Sequence, residues 1–152
     1  MKTLMLAVGL LAPVAAWAQT GAQPELPREK LVIVTQDHVR HDFMVEMAKT
    51  PAQQTIGLMF RTSVPEDGGM LFDWGAPQVS MMWMRNTVSA LDMVFINADG
   101  TIRRVVEDTV PESLATIESR GPVRATLELR AGTARRLGIH AGDTVEAPMF
   151  GH

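Results

Sequence analysis

The shortness of its apolar segments limits the fold of this chain more than any other feature. From Lys30 onward they run between four and nine residues, and Gly, Pro, Asn or Asp interrupts them. None has the length or the 3.6-residue spacing of a long amphipathic helix. Val123, Ala125, Leu127 and Leu129 alternate with Arg124, Thr126, Glu128 and Arg130, which is the pattern of an amphipathic strand. Val39, His41, Phe43, Val45 and Met47 alternate in the same way with Arg40, Asp42, Met44 and Glu46. With Leu31 to Thr35 before it, that segment predicts a hairpin. Leu91 to Ile96 is apolar on both faces apart from Asp92, so it predicts a central strand with cover on each side.

The remaining segments follow the same logic. Met70 to Asp73, Val79 to Met84, Thr101 to Glu107 and Thr144 to Ala147 predict short strands, with 74–78 irregular around Gly75 and Pro77. Thr50 followed by Pro51 predicts a capped helix running to about Met59. Thr133 opens a second short helix that stops at Gly138. About eight strands and two short helices, with no βαβ alternation, point to a mainly β domain. The expected form is a single antiparallel β-sandwich or barrel.

Lys2 supplies a positive start, Leu4 to Ala16 an apolar run, and Ala16-Trp17-Ala18 a small-x-small site before Gln19. That order is the signature of a cleavable secretory signal peptide over residues 1–18, cut after Ala18. The apolar run is well short of the roughly 20 residues that span a bilayer. Without cysteine no lipoprotein anchor can be attached. The expected destination is therefore the periplasm or the medium, with no membrane anchor after cleavage. Residues 19–29, rich in Pro, Gln and Glu, predict a flexible linker, and residues 30–150 a single domain.

Removing 18 of 152 residues leaves 134, enough for one adequate core. Losing Lys2 moves the formal net charge from −3 to −4. An acidic chain without a basic block gives no reason to expect nucleic acid or an anionic membrane as partner. The absence of cysteine removes thiol catalysis and thiolate metal sites. No phosphate-binding glycine loop is present, and no cofactor is implied.

Several strings occur together: Gly57-Leu58-Met59-Phe60-Arg61, Gly68-Gly69-Met70-Leu71-Phe72, Trp83-Met84-Arg85-Asn86-Thr87, Leu91-Asp92, Asn97-Ala98-Asp99-Gly100 and Leu127-Glu128-Leu129. In their order and spacing the chain resembles domain of unknown function family 192, over nearly everything from Lys30 to Ala147. The resemblance implies a compact, jelly-roll-like β-sandwich with short helices. It implies no activity. Arg85 stands where lysine is common in the family, and Ala90 where proline is common. The loop near Pro111 lacks the cysteines many relatives carry, so no role built on that pair applies here.

The residues best suited to a site are Arg61, Trp83, Arg85, Asn86, Thr87 and Asp92. Asp92, inside an apolar run, needs a partner to offset its desolvation, and Arg61 or Arg85 can supply a planar guanidinium. Two readings stand side by side: a polar pocket for a small polar or saccharide-like ligand, and a purely structural network. Met59, Met70 and Met84 offer soft sulfur that suits Cu(I), against the alternative that these methionines fill the core. Trp74 and Trp83, with Phe60 and Phe72, either line a sugar-binding face or are buried. Ser63, Ser80 and Ser89 stand in no nucleophile motif, which leaves a cell-envelope hydrolase as a further alternative. The leading expectation is an exported small-ligand-binding or accessory domain that is not an enzyme.

Overall fold

Every side chain of β4 (Leu91–Ile96) is buried, on both faces of the strand. A sheet can cover both faces of a strand by curling on itself and laying other elements on its outside. The computed structural model, which describes residues 20–151, shows that arrangement. The strands are β1 (Arg28–Val34), β2 (Arg40–Ala48), β3 (Met70–Met82), β4, β5 (Ile102–Val106), β6 (Ile117–Arg130) and β7 (Thr144–Glu146). They form one seven-stranded sheet in the order β5-β4-β6-β3-β2-β1-β7. Its two edges meet at a bridge between Thr101 and Thr144. Ile102 N donates to Asp143 O at 2.8 Å, and Val145 N to Gly100 O at 2.7 Å. The sheet is thus a nearly closed barrel.

The barrel interior holds Leu31, Ile33, Phe43, Leu71, Val94 and Leu127. A second apolar layer, built on Met70, Phe72, Leu91, Met93 and Phe95, lies on the opposite face of the central strands. The two layers alternate along β4: Leu91, Met93 and Phe95 belong to the outer one, Val94 and Ile96 to the inner. Leu58 and Val64, from the connection between β2 and β3, help cover the outer layer.

That connection contains α1 (Pro51–Ile56). Thr50 Oγ1 accepts from Gln53 N, and the Gln53 side chain accepts from Thr50 N, closing a capping box. The helix stops short of Met59 because Gly57, at φ 51°, turns the chain. A β-carbon at residue 57 would sit 3.0 Å from Phe72 Cζ, so the turn also lets the backbone lie directly on the outer layer. The crossover makes β2 and β3 parallel, with Glu46 opposite Met70 and Ala48 opposite Phe72. This corrects the expectation of a wholly antiparallel fold. All other pairs are antiparallel.

Two further differences bear on the site. β3 does not break at 74–78 but continues through register shifts between Asp73 and Gln78 and between Val79 and Met81. β6 starts at Ile117, through Gly121 and Pro122. The expected linker is held against the barrel at Gln23 and Leu26. Gln23 Nε2 donates to Gln53 O at 3.1 Å and to Gly57 O at 2.9 Å. Leu26 N donates to Glu46 Oε2 at 2.8 Å. The expected signal peptide, residues 1–18, lies outside the described residues. No helix among the described residues is long and apolar enough to cross a membrane. The second helix, α2, spans Thr133–Leu137.

Candidate functional site

Asp92 sits on β4 without solvent contact. Its partners are backbone N–H groups, not an arginine. Oδ1 accepts from Asp108 N at 2.9 Å and Gly132 N at 3.2 Å, and Oδ2 accepts from Ala134 N at 2.8 Å. Gly132 is the N-cap of α2 and offers no side-chain cap, so Asp92 supplies that function from across the fold. Its place is structural, and the anticipated pairing with Arg61 or Arg85 does not occur.

Arg61 pairs instead with Glu46, in a two-pronged contact of 3.2 Å (Nη1 to Oε1) and 3.1 Å (Nη2 to Oε2). Its Nη2 also donates to Gln23 O at 3.3 Å. The pair is largely buried and ties the N-terminal segment to β2.

The other candidates gather elsewhere. An open cleft of about 400 Å³ lies between α1 with its following turn and the end of β3. Trp83, 46% exposed, and Thr87, buried, both line it. The Arg85 guanidinium lies 5.4 Å from the centroid of the Trp83 ring, within cation–π range. Asn86, at φ 54°, donates from Nδ2 to Met59 Sδ at 3.9 Å and accepts from Phe60 N through its carbonyl. Met59 lines the cleft. Met70 and Met84 are fully buried in the outer layer, and Met84 Sδ accepts from Thr109 Oγ1 at 3.2 Å. Phe72 and Trp74 are stacked with centroids 5.7 Å apart, and both line the cleft. Trp74 Nε1 donates to Thr126 Oγ1 at 3.1 Å, which fixes the indole.

The residue the sequence pattern did not single out is Glu128. It alternates with Leu127 and Leu129, which puts it on the outer face of β6, a face the pattern leaves open to water. Here that face is covered: Glu128 is 4% exposed and lines the cleft. It lies between Met70 of β3 and Met93 of β4. Among the described residues no donor or cation meets its carboxyl, and burial alone pushes it up to about 8. The chain also runs close to the Glu128 backbone. A side chain at Gly69, φ 150°, would collide with the carbonyl oxygen of Glu128. The only sequence signal pointing to it was a carboxylate between two leucines in a strand.

The family DUF192, "Uncharacterized ACR", matches residues 32–147. The chain belongs to this family. Two solved structures are similar to it. One is a protein from Sinorhizobium meliloti 1021, described as a "putative transcription regulator". It is 45% identical, with 84% of this chain and 99% of that one covered and a TM-score of 0.81. The other is a protein of unknown function from Novosphingobium aromaticivorans DSM 12444. It is 36% identical, with 91% and 99% covered and a TM-score of 0.77. No curated protein matches. The Glu128 cleft lies wholly within the segment that matches DUF192.

Proposed function

We propose that this DUF192 chain is an exported, non-catalytic domain that holds a small ligand in the cleft over Glu128. The observation that carries this reading is Glu128 itself, buried, without a partner among the described residues and bordering an open aromatic cavity. Burying a carboxyl without a donor is costly, and a ligand that supplies the missing contact recovers that cost. Trp83 and Thr87 belong to the site, Arg85 and Asn86 border it, and Arg61 and Asp92 support the scaffold.

A binding role is favoured over hydrolysis because Glu128 is the only titratable side chain lining the cleft among the described residues. Carboxylate-based hydrolysis calls for a second carboxyl on the other side of the scissile bond. A soft copper site is disfavoured because Met70 and Met84 are fully buried in the apolar layer and do not line the cleft that Met59 lines. The regulator description of the Sinorhizobium protein finds no support in an acidic chain without a basic block. Export rests on the order of Lys2, the apolar run and Ala16-Trp17-Ala18.

The test is a thermal-shift screen with envelope sugars, short peptides, amines and metal salts, read together with tryptophan fluorescence. A hit should raise the melting temperature and perturb Trp74 or Trp83, and Trp83→Ala should weaken it. Hits that ignore Trp83→Ala, or no hits at all, overturn the reading. Terminal sequencing of the exported protein should begin at Gln19.

A further inference from the structure

We propose that the ligand of this cleft is an organic ammonium ion, with its N–H groups on Glu128 and its carbon body against Trp74 and Trp83. The inference rests on the cleft being a ligand site, as proposed above.

The argument starts from where the hydrogens go. Gln54 Nε2 donates to Ala48 O at 3.1 Å and to Asp73 O at 2.7 Å, so both its amide hydrogens are committed. Thr55 Oγ1 donates to Pro51 O at 2.8 Å, and Thr87 Oγ1 to Arg85 O at 3.2 Å. Each of these cleft residues therefore turns only acceptor capacity toward a ligand. The thioether of Met59 is a weak acceptor as well. Apart from the Trp83 indole N–H and the proton that Glu128 gives up on binding, the side chains of the cleft offer acceptors, which suits a ligand made of donors. An ammonium group has three and no acceptor, as in lysine.

The walls agree. Indole faces carry negative potential and attract cations, and Trp83 already holds the Arg85 guanidinium at 5.4 Å. The fold also shows what a satisfied glutamate on this face looks like. Glu46, two strands away across Met70, has Arg61. Among the described residues Glu128 has no such cation, and the open cleft borders it.

Binding is then linked to protons. The charged groups on the surrounding elements are engaged elsewhere: Glu46 with Arg61, Arg130 with Glu66, Asp73 with Arg124, and Asp92 with backbone N–H groups. Arg85 is exposed beside Trp83, and β4 and α1 present Met93, Gln54 and Thr55. In the empty cleft burial keeps the Glu128 carboxyl protonated at neutral pH. An ammonium ion favours its ionised form, so association releases one proton and tightens as pH rises toward 8.

The experiment is calorimetric titration of the protein with butylammonium, butan-1-ol and butanoate between pH 6 and 9. Butylammonium should bind at least roughly tenfold more tightly than butan-1-ol at pH 8. Its affinity should rise roughly tenfold per pH unit between pH 6 and 7.5, with a proton released on binding. Butanoate should not bind. Glu128→Gln should abolish the pH dependence and the preference over butan-1-ol. Should that variant fail to fold, the wild-type pH profile and proton count decide alone. Equal affinity for butan-1-ol, binding of butanoate, or a flat pH profile overturns the ammonium assignment while leaving the cleft as a site. Absence of all three from the cleft, with a sugar or peptide bound there instead, also overturns it. If nothing binds there, both readings fall.

Discussion

Glu46 and Glu128 stand in one row across the sheet with Met70 between them, yet only Glu46 meets an arginine. Two strand spacings put their backbones about 10 Å apart. Arg61, from the turn after α1, closes over Glu46, while the cleft beside that turn opens over Glu128. Neighbouring carboxyls on one face thus have opposite electrostatic fates.

The first consequence is a pH-dependent stability. The Glu128 carboxyl titrates near 8 in the fold, against an ordinary value of 4.5. Between those values the folded chain binds the proton and the unfolded chain does not, so stability falls as pH rises through this window. The loss levels off above pH 8 and amounts to something on the order of 5 kcal/mol. Glu128→Gln should remove this slope and be more stable than the parent at pH 9. Urea denaturation at pH 5, 7 and 9 measures it, and parallel pH profiles for the two proteins would refute it.

Breaking the Arg61–Glu46 pair should be expensive in either direction. Arg61→Ala leaves Glu46 largely buried with only Leu26 N to satisfy it, and should cost about 3 kcal/mol. The double variant Glu46→Ala/Arg61→Ala should cost less than the sum of the singles. A double-mutant cycle in urea checks this, and strict additivity would mean the pair carries no coupling.

Asp92→Ala takes the acceptor from three N–H groups at once, two of them at the start of α2 and that of Ala134 buried. The expected cost is about 3–5 kcal/mol, a fall in melting temperature on the order of 10 °C. Amide exchange at Gly132 and Ala134 should accelerate more than exchange in β2. An unchanged melting temperature would contradict the capping role.

Gly69 and Gly75 make a matched comparison, both at positive φ. A β-carbon at Gly75 meets nothing within 4 Å, so Gly75→Ala should cost only the backbone term of about 1–2 kcal/mol. Gly69→Ala adds the collision with the Glu128 carbonyl and should cost several kcal/mol more, or prevent folding. Similar losses for the two, read by thermal melting, would show that the chain relaxes at Gly69.

Much of the scaffold was legible because its signals are local. Leu91–Ile96 is an apolar run broken only by Asp92, and the strand appears with those bounds. Thr50-Pro51 announces α1, and the capping box with Gln53 forms. The start of β6 was hidden by Gly121-Pro122, which in isolation reads as a break. The partners of Asp92 and Arg61 were not legible, since they come from segments 15 to 42 residues away. Period two says that Thr126 and Glu128 share a face opposite Leu127. It cannot say that the tail of β3 and α1 will fold over that face. Glu128 was therefore an ordinary surface residue in the sequence, and its burial is a property of the fold.

The seam of the barrel has a consequence in time. β7 is three residues long, follows every other strand, and pairs with β1 across more than a hundred residues. Until Thr144–Glu146 is synthesised, β1 and β5 are open sheet edges, the surfaces on which β proteins stick to one another. Contacts that span the whole chain also form slowly. A nascent chain therefore remains vulnerable to edge-to-edge association until its last strand emerges, and holding factors that shield β1 should matter most in that interval.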